Sequence, residues 1–210
     1  MRKVSRYITR ILAIFTLYAL SSFGSVWSQS LNVFILYGED AVSYVEVCQG
    51  STVAFTVEVF GGSGSGHTYT WSGDTNPTYF NDLDDLVSYK NTTPAGTYNL
   101  TVDVEDDGGF TGTANLTVVI KPSPLATIVA NGPTTFCDGD MVELEETNSQ
   151  TGVSYQWQRN FSNISGATST TYDAGVSGNY RIRVTGTNGC SKLLNVITVD
   201  VNSLPSVIAT

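Results

Sequence analysis

Three cysteines and a single histidine are the residues of this chain best suited to nucleophilic or metal chemistry. They are too few for a zinc ribbon or a histidine-rich metal site. His67 follows the glycine- and serine-rich stretch GGSGSG (61–66). A nucleophilic site needs its histidine fixed against a base or an acid, and a flexible loop is poor support for that. We therefore predict that His67 is not catalytic.

Carboxylates are the other chemically capable groups, and they concentrate in two short runs. The first run contains Asp103, Glu105, Asp106 and Asp107, and the second is NDLDD (81–85). Oxygen-rich loops can hold Ca²⁺, but neither run has the spacing of an EF-hand. Calcium binding and simple solvation of a loop therefore both stay open.

Sugar hydrolysis needs a pair of carboxylates at a set distance, and phosphate binding needs a particular loop motif. The sequence indicates neither. Nothing places two carboxylates the roughly 5–9 Å apart that sugar hydrolysis requires. The GGSGSG stretch lacks the lysine and the helix of a phosphate-binding loop. We predict that the chain is not an enzyme, and we assign it no catalytic residue, no cofactor and no metal-ligating residue.

The first thirty residues have the layout of a secretory signal peptide. Four basic residues come first: Arg2, Lys3, Arg6 and Arg10. The apolar run ILAIFTLYAL (11–20) follows, then small and polar residues. Its ten residues are fewer than the about 20 that span a bilayer. We predict that residues 1–30 are a signal peptide, with the mature chain starting at Gln29 or Leu31. The alternative is a buried helix at the start of a cytosolic domain.

Export and charge together restrict the partners of the mature chain. Without residues 1–30, six basic and nineteen acidic residues remain, so the formal charge is −13. A surface this acidic repels nucleic acid and anionic membranes. We expect a secreted or cell-surface protein that binds no nucleic acid and does not insert into the membrane after signal cleavage.

The remainder of the chain contains two copies of one β-module. Three landmarks recur in the same order: VCQGSTVAF (47–55) and FCDGDMVEL (136–144), TYTWSG (68–73) and SYQWQR (154–159), AGTYNLTV (95–102) and SGNYRIRV (177–184). Within each copy apolar and polar residues alternate, which is typical of half-buried antiparallel strands. The Pro-containing stretch KPSPLAT (121–127) lies between the copies. We predict an all-β chain of two tandem antiparallel β-sandwiches, residues 31–122 and 123–204.

Aromatic residues in these strands have either a core role or a binding role. Trp71 and Trp157 each follow a tyrosine by two residues in the middle of a strand. A tryptophan on the third strand is expected in the core of an immunoglobulin-like sandwich. We predict core positions for both, the alternative being a sugar-stacking platform. Tyr79 and Phe80 are the adjacent aromatic pair that we would test for sugar binding.

The second copy resembles a bacterial immunoglobulin-like domain. The resemblance lies in GDMVEL (139–144), YQWQ (155–158), ISGATSTTYDAGVSGNY (164–180) and NGCS (188–191). Such domains occur in tandem on exported proteins of gliding and related Bacteroidetes-type bacteria. The resemblance implies that Tyr180 forms a tyrosine corner, and that Leu144 and Ile182 stand where antibody-type domains carry their core cysteines.

The first copy is similar to a PKD-type domain of the same proteins. The similarity lies in GGSGSGHTYTWSG (61–73), AGTYNLTV (95–102) and DVEDDGG (103–109). The stretch WSGD (71–74) departs from the longer Trp-Asp-Phe-Gly-Asp-Gly stretch that PKD domains often carry. The resemblance therefore implies a β-sandwich more firmly than it implies the PKD type.

Cys137 and Cys190 are the predicted disulfide pair. An exported chain enters an oxidising space, and such a bridge would contribute about 3–4 kcal/mol. Simple sandwich topology, however, puts the start of the second strand and the start of the last strand at opposite ends. The bridged and unbridged forms therefore both stay open. Cys48 has no partner in its own copy, because Phe110 stands about where Cys190 does; it is either buried and inert or paired between chains.

The function that fits these features is a non-catalytic spacer, stalk or adhesion module with a protein or glycan ligand that the sequence does not name. The alternatives are accessory domains of a longer secreted hydrolase and a carbohydrate-binding module. Residues 204–210 show the same proline-then-apolar pattern as residues 124–129. We expect residues 205–210 to begin a further module, the alternative being a complete two-domain protein with a short tail.

Overall fold

The computed structural model describes residues 30–63, 66–148 and 150–204, and these residues form strands and no helix. The predicted signal peptide, apart from Ser30, and residues 205–210 lie outside the described residues. Within the described ranges, no helix has the length and apolar character needed to cross a membrane.

Nine strands make up the first module. They are β1 (Asn32–Tyr37), β2 (Asp40–Ala41), β3 (Tyr44–Cys48), β4 (Val53–Phe60), β5 (His67–Gly73), β6 (Phe80–Leu83), β7 (Leu86–Tyr89), β8 (Gly96–Asp106) and β9 (Thr111–Lys121). One sheet has the order β2-β1-β4-β7-β6 and the other the order β3-β9-β8-β5. Strand alternation points Phe55 of β4 and Val102 of β8 into one shared core, as expected for strands with one solvated face.

Nine further strands make up the second module. They are β10 (Ile128–Ala130), β11 (Thr135–Cys137), β12 (Val142–Glu146), β13 (Ser154–Arg159), β14 (Ser162–Asn163), β15 (Thr171–Ala174), β16 (Gly178–Thr185), β17 (Ser191–Leu193) and β18 (Ile197–Asn202). One sheet has the order β10-β12-β15 and the other the order β11-β18-β16-β13-β14, with β17 also paired to β16. Leu144 and Ile182 are fully buried in the core between the sheets.

Both modules depart from purely antiparallel pairing in the same way. In the first, β3 runs parallel to the last strand β9. In the second, β11 runs parallel to the last strand β18. In each module the chain thus passes from the first sheet to the second one early, and this early strand pairs with the last strand at the edge of the second sheet. The prediction of two tandem β-sandwiches is confirmed.

The two tryptophans lie in the cores, as predicted. Trp157 is completely buried and Trp71 is 8% exposed. The indole N–H of Trp71 donates to the carbonyl of Asp84 at 2.9 Å, and that of Trp157 donates to the carbonyl of Ser169 at 3.0 Å. A buried indole needs such a partner, and these bonds show that neither ring is free to act as a sugar-stacking platform.

A tyrosine corner closes each module. The hydroxyl of Tyr180 donates to the carbonyl of Val176 at 2.7 Å, which confirms the expectation drawn from the resemblance. The hydroxyl of Tyr98 donates to the carbonyl of Pro94 at 2.9 Å, with the same separation of four residues. A buried third-strand tryptophan together with a tyrosine corner is the pattern of immunoglobulin-like sandwiches.

Candidate functional site

The residues considered for catalysis or metal binding form no catalytic or metal cluster in the described part of the chain. His67 begins β5 opposite Asp106, and its ring lies 6.3 Å from that of Tyr69. Its Nε2 is buried without a hydrogen-bond partner among the described residues. Within the same ranges, no group of three or more His, Cys, Asp and Glu side chains is arranged to hold a metal ion. The geometry assigns His67 to packing beside Tyr69.

The acidic run at the end of β8 is divided between two faces of the strand. Asp103 is exposed and accepts a hydrogen bond from the Thr113 hydroxyl at 2.6 Å, whereas Asp106 is 5% exposed. The carboxylate of Asp106 accepts hydrogen bonds from the amides of Ser63, Gly108 and Phe110 and from the Ser63 hydroxyl, all between 2.6 and 2.9 Å. This carboxylate is surrounded by donors, so its role is to close the hairpin loop.

The same hydrogen bonds set the ionisation of Asp106. Burial raises the pKa of this carboxyl group, but the bonds from Ser63, Phe110 and Gly108 stabilise the charged form more strongly. The pKa of Asp106 therefore lies below its ordinary value. A carboxylate that accepts several backbone N–H bonds keeps its charge to a lower pH than an ordinary aspartate does.

The second acidic run lies in β6 and in the turn that follows it, where Asp84 and Asp85 connect β6 to β7. Asp84 has a positive φ of 61°, and its carbonyl accepts the Trp71 indole N–H. The carbonyl of Asp85 accepts the amide of Val57 at 2.9 Å. The turn thus holds Trp71 and β4 in place through its backbone.

The aromatic pair proposed for sugar binding is not an exposed row. Phe80 is 5% exposed, and its ring lies 5.2 Å from that of Tyr89 in the first core. Tyr79 is partly buried and packs against Tyr98 at 6.2 Å. The two residues that we would test for sugar binding therefore do not form an exposed platform, because strand β6 turns its first residue inward.

The disulfide in the structure joins the two modules. Cys48 bonds to Cys190 with a Cα–Cα distance of 5.5 Å, and Cys137 is free and exposed. The predicted pairing of Cys137 with Cys190 is not the one formed. Cys48 is neither inert nor paired between chains, because its partner lies in the second module of the same chain.

Strand direction explains why Cys137 and Cys190 do not meet. The parallel pairing of β11 with β18 carries Cys137 to a position opposite Asn202, on the side where β16 begins. Cys190 lies beyond the other end of β16, next to β17. An eight-residue strand spans roughly 25 Å, whereas a disulfide needs Cα atoms within about 7 Å.

The same pairing in the first module brings Cys48 to the joint. Strand β3 runs parallel to β9 and sets Cys48 opposite Lys121, where the chain leaves the first module. Hydrogen bonds surround the bridge: the Ser123 hydroxyl donates to the Gln49 carbonyl at 2.7 Å, and the Asn188 amide donates to the Pro122 carbonyl at 2.7 Å. The joint between the modules is therefore fastened at several points.

Sequence reasoning missed this joint because it sought the partner of Cys190 within its own module and the partner of Cys48 in its own module or in another chain. The positions are 142 residues apart, and no local pattern links them. One signal was present: Cys48 and Cys137 are equivalent in the repeat, so each should sit at the same end of its module.

A second feature is an exposed aromatic residue on the second module. Asn160 and Phe161 form the two-residue turn between β13 and β14, with φ values of 48° and 70°. Glycine is the usual residue at the second of these positions, and a phenylalanine there is strained. Phe161 is 68% exposed, and the Arg181 guanidinium lies over its ring at 4.6 Å.

Hydrogen bonds hold Arg181 against Phe161. The Nε of Arg181 donates to the Oε1 of Gln158 at 2.7 Å, and the Nε2 of Gln158 donates to Asn163 at 2.7 Å. Gln158 is itself buried. The result is a prearranged surface on which an aromatic ring and a planar cation lie together.

Comparisons with known proteins give a fold-level likeness. No protein-family model matches the chain, and a search of curated proteins found no match. Murine CEACAM1b covers 81% of this chain and 100% of its own, with 14% identity and a TM-score of 0.34. The N-terminal Ig1-2 module of the Drosophila receptor protein tyrosine phosphatase DLAR covers 82% of this chain and 99% of its own, with 13% identity and a TM-score of 0.33.

A bacterial structure has a similar TM-score. The SGBP-B protein of the Bacteroides ovatus mixed-linkage glucan utilization locus, solved with a mixed-linkage heptasaccharide, has 19% identity and a TM-score of 0.33. It covers 81% of this chain, which spans 47% of that protein's length. Similarities this distant carry no argument about function. The sheets, the core tryptophans and the tyrosine corners define the chain as a tandem immunoglobulin-like β-sandwich protein.

Proposed function

We propose that the chain is a non-catalytic spacer and adhesion module of a secreted or cell-surface protein, in which the two sandwiches form one stiff unit. The observation that carries this proposal is the disulfide between Cys48 and Cys190 across the joint. Domains joined by a short linker alone ordinarily move relative to one another. A covalent bond at a second point removes most of that freedom.

The same bond supports an extracytoplasmic location. Disulfides persist in oxidising compartments and are rare in the cytosol. The predicted signal peptide at residues 1–30 leads to the same compartment. N-terminal sequencing of the protein from cell fractions tests this part of the proposal, and an intact Met1 on a cytosolic species contradicts it.

Small-angle scattering tests the stiffness. The oxidised chain should scatter as one rigid body, and the Cys48→Ser variant should sample a broader range of maximum dimensions. Cys137→Ser is the matched control, because it removes an exposed cysteine outside the joint. Identical scattering from the wild type and Cys48→Ser would show that the bridge does not set the geometry.

A second candidate function, direct binding of carbohydrate, is favoured by the exposed ring of Phe161. Sugars stack on aromatic faces, and planar polar side chains such as Arg181 and Asn163 suit their hydroxyls. A glycan array probed with the wild type and with Phe161→Ala tests this candidate, with Tyr44→Ala as the matched exposed aromatic. Signals that survive Phe161→Ala would exclude this surface.

A further inference from the structure

The outer face of the five-stranded sheet in the first module carries apolar side chains that do not enter the core. Residues alternate between the two faces of a strand, so those that do not enter the core point away from it. The apolar residues of this outer face lie on four neighbouring strands: Phe34, Leu36, Phe60, Leu83 and Leu86. One row in register across the sheet contains three of them: Leu36, Thr56, Leu86 and Leu83. Contiguous exposed apolar surface of this kind marks a binding surface.

A single carboxylate lies among these apolar residues. Glu58 is exposed, and it stands opposite Phe34 in register. The rings of Phe34 and Phe60 lie beside it, with their centroids 5.9 Å apart. Among the described residues, the Glu58 carboxylate has neither a hydrogen bond nor an ion pair. We call this surface, which consists of Phe34, Leu36, Glu58, Phe60, Leu83 and Leu86, the acidic face.

The second module has an outer face of opposite charge. Arg181 and Arg183 are two residues apart on β16 and point away from the core, because Ile182 between them is fully buried. The strands of this sheet, including β17, carry four basic residues: Arg159, Arg181, Arg183 and Lys192. Asp200 is the one acidic residue of these strands, and it stands opposite Thr135 of β11. The strands β1, β2, β4, β6 and β7 show the reverse, with three acidic residues and no basic one.

Apolar side chains flank the two arginines. The exposed ring of Phe161 lies under the Arg181 guanidinium, and the exposed Leu193 stands opposite Arg183 in register. Arg183 is exposed, and within the described ranges its guanidinium has neither a hydrogen bond nor an ion pair. Arg181 is already held by Gln158, so less side-chain freedom is lost when this surface binds. We call Phe161, Arg181, Arg183 and Leu193 the basic face.

We propose that the acidic face of one copy of this chain binds the basic face of a second copy. Each face has an apolar surface around a charged group without a partner, and the two charges are opposite. Contact between the faces buries both apolar surfaces and pairs Glu58 with Arg183. Aromatic residues and arginine are the residues enriched at the centre of protein interfaces. The proposal rests on the proposed adhesive function and names its partner.

The net charge of the chain does not prevent this contact. Residues 31–122 contain 2 basic and 12 acidic residues, a formal charge of −10, and residues 123–204 contain 4 basic and 7 acidic residues, a formal charge of −3. At physiological salt the Debye length is about 8 Å, so repulsion between distant charges is largely screened. The charges that meet at the contact therefore determine whether two copies bind. The two faces differ, so the contact is heterologous and each copy offers one face of each kind.

Charge exchange followed by sedimentation velocity tests the proposal. Every protein carries Cys137→Ser, so that a bond between the exposed cysteines of two copies cannot mimic association. This parent chain should associate as its concentration rises. Glu58→Arg and Arg183→Glu should each weaken the association by about tenfold or more, because each places like charges opposite one another. The chain with both exchanges should associate as the parent does, because its two charges pair in the reverse order.

Two matched exchanges serve as controls and should leave the association unchanged. Asp173→Arg reverses an exposed carboxylate on β15, which belongs to the other sheet of the second module. Lys192→Glu reverses a cation that stands opposite the buried Val184, on the other side of β17 from Leu193.

Three results overturn the proposal. A parent chain that stays monomeric at its highest soluble concentration leaves both faces to a different partner. An association that Arg183→Glu does not weaken joins some other pair of surfaces. An association that both single exchanges abolish and the combined exchange does not restore does not depend on this charge pair. Failure here is separable from failure of the spacer function, because the Cys48→Ser scattering comparison uses dilute single chains.

Discussion

Cys48 and Cys190 have Cα atoms 5.5 Å apart although 142 residues separate them, and each belongs to a different sandwich. The bond is possible because β3 follows the last strand of the first module to its exit, where the second module begins. Cys190 is fully buried, so the second module encloses its half of the bridge. The bridge thereby ties the exit of the first module to the second module at a point away from the connecting segment.

Truncation of Trp157 should unfold the second module and leave the first one folded. The ring is fully buried, and removing a large core aromatic costs about 3–5 kcal/mol, comparable with the stability of a small domain. Near-UV circular dichroism and hydrogen exchange resolved by module measure this. Trp71→Ala is the mirror control and should unfold the first module. A Trp157→Ala protein that melts like the wild type would contradict the core role.

The first module should lose stability in acid through Asp106. The pKa of this group is below its ordinary value in the folded state, so the ionised carboxylate contributes stability above the unfolded value of about 3.9. That contribution is lost as the pH falls through the lower folded value. Asp106→Asn should therefore destabilise the module at pH 7 and flatten its stability curve below about pH 4.

Denaturant unfolding of the first module at pH 7 and at pH 3 measures this difference. Asp107→Asn is the matched control, because Asp107 is the exposed neighbour in the same loop. Equal acid sensitivity in the wild type and Asp106→Asn would show that other carboxylates govern acid unfolding.

The sequence was sufficient to predict the layers of the fold, because alternation and the repeat are local signals. Trp157, Tyr180 and Leu144 all lie where the pattern places them. The disulfide was not predictable in the same way. Cys48 and Cys190 meet because of the direction of β3 and because of how the second module packs against the first. Neither feature produces a repeating pattern of residues in the sequence.

The exposed surface at Phe161 was not predictable from the sequence either. A phenylalanine between two strands is compatible with a core position, and only the pairing of Arg159 with Ser162 turns Asn160 and Phe161 into a tight hairpin tip. Tyr79 and Phe80 were chosen on adjacency alone, but the register of β6 against β7 sets Phe80 opposite Tyr89 and buries it.

Loss of the tyrosine-corner hydroxyl should cost more in the second module than in the first. Tyr180 is 1% exposed and its bond to the Val176 carbonyl is partly buried, so water replaces the hydroxyl lost in Tyr180→Phe only in part, at a cost of about 1–3 kcal/mol. Tyr98 is less buried, so water can replace its hydroxyl and Tyr98→Phe should cost about 1 kcal/mol or less. Denaturant titration of each variant measures both costs. Equal costs would show that burial does not determine how much each hydrogen bond contributes to stability.

Because the backbone at Phe161 is strained, a glycine variant at this position should be more stable than an alanine variant, which is the reverse of the usual order. A side chain with φ near 70° is disfavoured by about 1–2 kcal/mol, a penalty that glycine does not incur. Phe161→Gly should therefore be more stable than Phe161→Ala by about 1 kcal/mol, although both lose the contact with Arg181.

Val176 is the control, because it is exposed and has no positive φ. There alanine should be the more stable replacement, as glycine adds entropy to the unfolded chain. Thermal unfolding of the four variants measures the two orders, and alanine above glycine at position 161 would show that the turn relaxes without strain.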